Sequence, residues 1–159
     1  MYRSRWVVLS QVVLALAALA PAAARADECD QLAAAVVAGT GASADPRGMY
    51  TIKMHHPGVE SLSVDCPMAT ADTTSFSVSW DGAYPPNKFY DLVGTAGNIV
   101  MGAPVKNVAS SARKCQRRAL GSKDEMAEVN ENELHVECQA FSRGGGGTAI
   151  SIYRAAGKK

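Results

Sequence analysis

The sequence has no Asn-x-Ser/Thr site, no Cys-x-x-Cys pair, no Gly-x-Ser-x-Gly stretch and only three histidines among its 159 residues. Each absence removes a chemistry. Without closely spaced thiols there is no dithiol redox centre. Without a nucleophile elbow, and with few imidazoles to serve as base, no Ser-His-acid triad can be named. The run Gly144 to Gly147 lacks the Gly-Lys-Ser/Thr ending of a phosphate loop and precedes a strand pattern, so it reads as a hairpin tip. Charge is nearly balanced, 16 Lys and Arg against 15 Asp and Glu, which argues against a general polyanion binder and so against nucleic acid. No motif calls for a cofactor.

What is present begins with an export signal. Arg3 and Arg5 supply a basic start, Val12 to Ala20 an apolar stretch, and Ala24-Arg25-Ala26 a small-x-small cleavage site, so residues 1–26 are expected to be removed. Gln11 and Pro21 interrupt the apolar stretch and no stop-transfer charges follow it, so no stable membrane insertion is expected after cleavage. Arg3, Arg5 and Arg25 leave with the signal while all 15 acids stay, which takes the net charge from +1 to −2. The alanine-rich signal and the missing glycosylation sites point to a periplasmic or secreted protein. Residues 27–159 then form one ordinary domain.

Within that domain one pattern occurs twice. Ser61-Leu62-Ser63-Val64-Asp65-Cys66 and Glu133-Leu134-His135-Val136-Glu137-Cys138 both read Leu-x-Val-acid-Cys. Side chains alternate along a strand, so Leu62, Val64 and Cys66 share one face, as do Leu134, Val136 and Cys138. Each copy follows a helix-like segment that carries another cysteine, Cys29 or Cys115, and precedes a further alternating run. Two αβββ-like halves are expected, about 27–82 and about 104–156, an internal duplication joined by a helix at 89–101.

In order, the spacing predicts a helix from Asp27 that Gly39 and Gly41 stop, then a loop over 40–48. Strands follow over 49–54, 59–66 and 73–80, with the turn His55-His56-Pro57-Gly58 between the first two and Pro67 ending the second. The linking helix contains Gly94 and Gly97, each costing up to about 1 kcal/mol against alanine, so it is expected to be soft. Val105 to Leu120 carries an apolar stripe at 105, 108, 109, 112, 115 and 119 and is opened by Pro104. Strands at 125–129, 133–141 and 148–154 complete the chain, with a turn at 130–132 and a frayed end at 155–159. Short turns between successive strands favour antiparallel pairing. The expected fold is α+β, an antiparallel sheet of about six strands with helices on one face.

Four cysteines in an exported chain form two disulfides, and of the three possible pairings the repeat favours Cys29 with Cys66 and Cys115 with Cys138. Candidate partner-binding residues are the basic edge Arg113, Lys114, Arg117 and Arg118, and the aromatic group of Trp80 and Tyr84 near Pro85-Pro86. His55 and His56, with Met54 and Met68 close by in the chain and His135 in the other half, make a weak metal candidate. Taken together, a rigid scaffold without assembled chemistry suits an exported, disulfide-stabilised, non-catalytic binding protein. Its partner is an unknown protein or envelope component, and envelope accessory, inhibitor and immunity-type modules all fit. The alternatives are a hydrolase acting on envelope material and a metal handler using His55 and His56.

Overall fold

The computed structural model describes residues 28–66 and 74–154. The export signal, the strand end at Pro67, Met68, the strand start at Thr73 and the frayed end expected at 155–159 lie outside these residues.

The described chain runs α1 (Glu28–Thr40), β1 (Ser43–Ala44), β2 (Thr51–His55), β3 (Ser61–Asp65), β4 (Ser75–Trp80), α2 (Asn87–Met101), α3 (Val105–Gly121), β5 (Met126–Glu131), β6 (Leu134–Phe141) and β7 (Gly147–Arg154). The seven strands make one antiparallel sheet in the order β1-β2-β3-β4-β7-β6-β5. Two three-stranded meanders, β2-β3-β4 and β5-β6-β7, therefore meet through their last strands. The sheet has one strand more than the expected six, because Ser43–Ala44, assigned to a loop, pairs with the edge of β2. A two-residue edge strand is too short to show a period of two.

Alternation in the sequence decides which face is covered. Cross-strand register lines up Ile52, Val64, Phe76, Ile152, Val136 and Val129 in one row across six strands. Met54, Leu62, Val78, Ile150 and Cys138 form a second row beside it. All eleven are buried in the core with Val36, Phe89, Val93, Val108 and Ala112 of the helices. Burial of each large apolar side chain contributes about 1.5–3 kcal/mol, which holds the helical layer to this face. α1 lies over β1 to β3, α3 over β5 and β6, and α2 over the seam between β4 and β7.

Disulfides tie each outer helix to the middle strand beneath it. Cys29 of α1 is bonded to Cys66 at the end of β3, and Cys115 of α3 to Cys138 of β6.

Two expectations are corrected. α1 continues through Gly39 to Thr40, because Gly39 is where α2 approaches: a Cβ there would lie 2.6 Å from Ile99 Cδ1. Gly94 and Gly97 let α3 pack directly on the α2 backbone, since a Cβ on Gly94 would meet the Val105 carbonyl oxygen at 2.9 Å. The turn expected at 130–132 lies at Asn132-Glu133, both with positive φ, so β5 runs on to Glu131.

Candidate functional site

Among the described residues no helix covers the second face of the sheet, which is polar. Along it the register aligns Lys53, Ser63, Ser77, Ser151, Glu137 and Glu128, one residue from each of six strands. The serines bond sideways across the ladder. Ser77 and Ser151 hydroxyls are 3.0 Å apart, those of Ser61 and Ser79 are 2.6 Å apart, and Thr51 donates to Asp65 Oδ1 at 2.7 Å. Small hydroxyls bonded to their neighbours leave a flat surface whose side chains have little freedom left to lose on binding.

At one end of this face lies a cleft of about 220 Å³ whose lining includes Glu60, Ser79, Trp80, Asp81, Gln139 and Phe141. The loop after β4 and the glycine loop before β7 build its rim, and the first is held from behind by two side chains. Gln116 of α3 donates to the Ala83 carbonyl at 2.6 Å, and Thr148 of β7 donates to the Gly82 carbonyl at 2.9 Å. Both side chains are nearly sealed from solvent, at 4% and 2% exposure. Gly146, with φ +85°, lies against the same loop, where a Cβ would come within 2.7 Å of the Ala83 nitrogen. The glycine run is the β6–β7 hairpin tip, with Gly144 and Gly145 exposed in a 3-10 turn over Arg143–Gly145, while Gly146 and Gly147 are packed, the latter under the Phe141 ring.

Trp80 and Tyr84 both belong to this region. Trp80 is half-buried and packs edge-on against Phe89, with ring centres 6.2 Å apart. Phe89 and Tyr90 are core residues, whereas Tyr84 stands out from the loop at 77% exposure. Ser79 donates to Glu60 Oε2 at 3.2 Å, which orients that carboxylate beside the cleft.

The basic edge of α3 is largely engaged with its own protein. Lys114 pairs with Glu131, Arg118 reaches the Glu128 carbonyl at 3.5 Å, and Arg113 donates to Asn87 Oδ1 at 2.9 Å. The Arg113 guanidinium also lies 4.1 Å above the Tyr90 ring centre, a cation–π contact that joins α3 to α2. Burial pushes the Tyr90 hydroxyl pKa up, against the opposing pull of Arg113 and Arg117. Arg117 is exposed.

The structure does not gather the histidines. His55 Nε2 meets Asp45 Oδ1 at 2.9 Å, while His56 Nδ1 accepts the Gly58 N–H at 3.0 Å. Met54 points into the core at 3% exposure. His135 is four strands from β2, about 19 Å away at the usual strand spacing.

Sequence reasoning missed Glu60, Gln139 and Phe141. Parity along β6 puts His135, Glu137, Gln139 and Phe141 on one face, but their meeting with Glu60 and Trp80 depends on the order of strands. A second hollow, of about 350 Å³, lies between α1 and β2, with Ala33, Val37, Ala44 and Ile52 in its lining. Among the described residues no helix is long and apolar enough to cross a membrane. No protein-family profile, curated protein or solved structure matches the chain.

Proposed function

We propose that the chain is an exported, disulfide-braced, non-catalytic binding protein that holds a protein partner through the cleft at the Trp80 end of its open sheet face. The observation that carries this reading is the composition of that cleft: Trp80 and Phe141 line it together with the acidic residues Glu60 and Asp81, and Tyr84 is exposed on the adjoining loop. Ring faces and carboxylates both attract cations, so the chemistry favours a partner that inserts a Lys or Arg side chain. The anchored rim reduces the ordering cost of binding. Two disulfides suit an oxidising compartment, periplasmic or extracellular. The matching helix, meander and disulfide in each half support an internal duplication as the origin of this platform.

A photo-crosslinking residue at position 84, in cells exporting the protein, tests the reading. The expected result is one captured protein with a basic surface segment, whose capture falls at least tenfold in the Glu60→Gln, Asp81→Asn double variant. Unchanged capture in that variant, or equal capture from a crosslinker at Lys106 on α3, sinks it.

The same two carboxylates favour a second reading, a hydrolase acting on envelope material with Glu60 and Asp81 as acid and base. Turnover of purified envelope polymer by the wild type and not by the double variant selects it. Metal handling through His55 and His56 has no comparable support, because each ring is turned to a different partner.

A further inference from the structure

We propose that Glu128, His135 and Glu137, at the β5–β6 end of the open face, form a binding site for a divalent first-row transition ion, with zinc the best fit. One ligand atom from each of the three lies within 4.8 Å of the other two. Around zinc at its usual 2.0–2.1 Å bond lengths, neighbouring donors are about 3.3 Å apart, so the remaining closure is a rotamer adjustment of solvent-facing glutamates. The site is separate from the Trp80 cleft, and its test is independent of the partner.

Two features of the cluster call for a cation. Glu128 and Glu137 are direct cross-strand partners on the same face, a placement in which like charges repel. Among the described residues no Lys or Arg side chain forms an ion pair with either carboxylate, and Arg118 reaches Glu128 only at its backbone oxygen. The second feature is the orientation of His135. Its Nδ1 lies 2.5 Å from Asn130 Oδ1 on the neighbouring strand, an oxygen that can only accept, so Nδ1 is the donor there, and Nε2 faces Glu137 Oε1 at 3.0 Å. In the neutral ring Nε2 then presents a lone pair to a carboxylate oxygen, and an electrophile between them resolves the conflict. A metal-bound histidine is held in this way, its second nitrogen donating to a carbonyl that sets tautomer and ring plane. The Tyr153 ring, centred 5.8 Å from the imidazole, packs beside it.

The donor set chooses the ion. An imidazole nitrogen with two carboxylates favours zinc or its first-row neighbours over magnesium and calcium, which prefer oxygen alone. Three protein ligands on an open face leave a coordination position for water or for a donor from outside.

Calorimetric titration of the chelator-treated protein with zinc alone tests the proposal. The expected result is one saturable site per chain, weakened at least tenfold by His135→Gln and by Glu128→Gln, and unchanged by His55→Ala with His56→Ala. Zinc is also expected to raise the Tm of the wild type and not that of His135→Gln. Glu128→Gln removes a ligand at an exposed position, so its loss of binding is readable even if His135→Gln perturbs the fold. Absence of a saturable site, or a site that survives either ligand substitution, overturns the proposal.

Discussion

Gly97 of α2 lies directly against Val108 of α3: a Cβ on Gly97 would fall 2.5 Å from Val108 Cγ1. Val108 is fully buried and β-branched, so it has little room to rotate away. Alanine at position 97 adds about 1 kcal/mol of helix propensity but overpacks the interface by about 1–3 kcal/mol. Gly97→Ala is expected to lower stability, with Tm falling by several degrees in a thermal melt. A neutral or stabilised variant would show that the helices can separate without cost.

Glu133 occupies the left-handed region, with φ +61°, as second residue of the two-residue turn between β5 and β6. Side chains are strained there, and Asn-Gly is the sequence that such a turn prefers. Glu133→Gly is expected to stabilise the protein by about 0.5–1 kcal/mol, read from the urea midpoint. No gain would mean that the turn relaxes freely in solution.

The two disulfides close segments with separations of 37 and 23 residues. In the chain-entropy picture each contributes about 3–4 kcal/mol by restricting the unfolded chain. Replacing Cys29 and Cys66 by serine is expected to cost stability on that scale and to raise hydrogen exchange first in α1. Replacing Cys115 and Cys138 should raise it first in α3. Equal exchange in both helices for both variants would remove the assignment of one bond to each half.

Glu131 gives the stability a specific acid dependence. Hydrogen bonds from Lys114 and then Ser111 hold its carboxyl pKa below the ordinary 4.5. A pKa lowered in the folded state adds stability that is fully present above the unfolded value and lost as pH falls through the folded one. Wild-type stability should therefore hold down to about pH 5 on this account and decline below it, and Lys114→Met should flatten that decline. Urea midpoints at stepped pH measure both slopes, and equal slopes refute the linkage.

Which of these features the sequence reveals depends on how far apart their causes lie. The alternation at Leu62, Val64 and Cys66, repeated at Leu134, Val136 and Cys138, is local, so both strands, their buried face and the sulfur pairing can be read from it. At Gly94 and Gly97 the cost of a glycine to its own helix is visible in the chain, whereas the close approach of Val105 and Val108 is not. The Trp80 cleft draws on β4, β6 and β7, and no spacing in the chain brings Glu60 to Phe141. His135 and Glu137 share a face by parity alone, but adding Glu128 requires the β5–β6 register.

Ser77 and Ser151 touch across the seam although 74 residues separate them in the chain. Each meander can assemble quickly from neighbouring segments, but the joint between β4 and β7 waits for both, since distant pairings form slowly. A molecule caught before that joint closes offers two unsatisfied strand edges. Those edges are where a second molecule would exchange strands with the first, so slow folding and misassembly share one address.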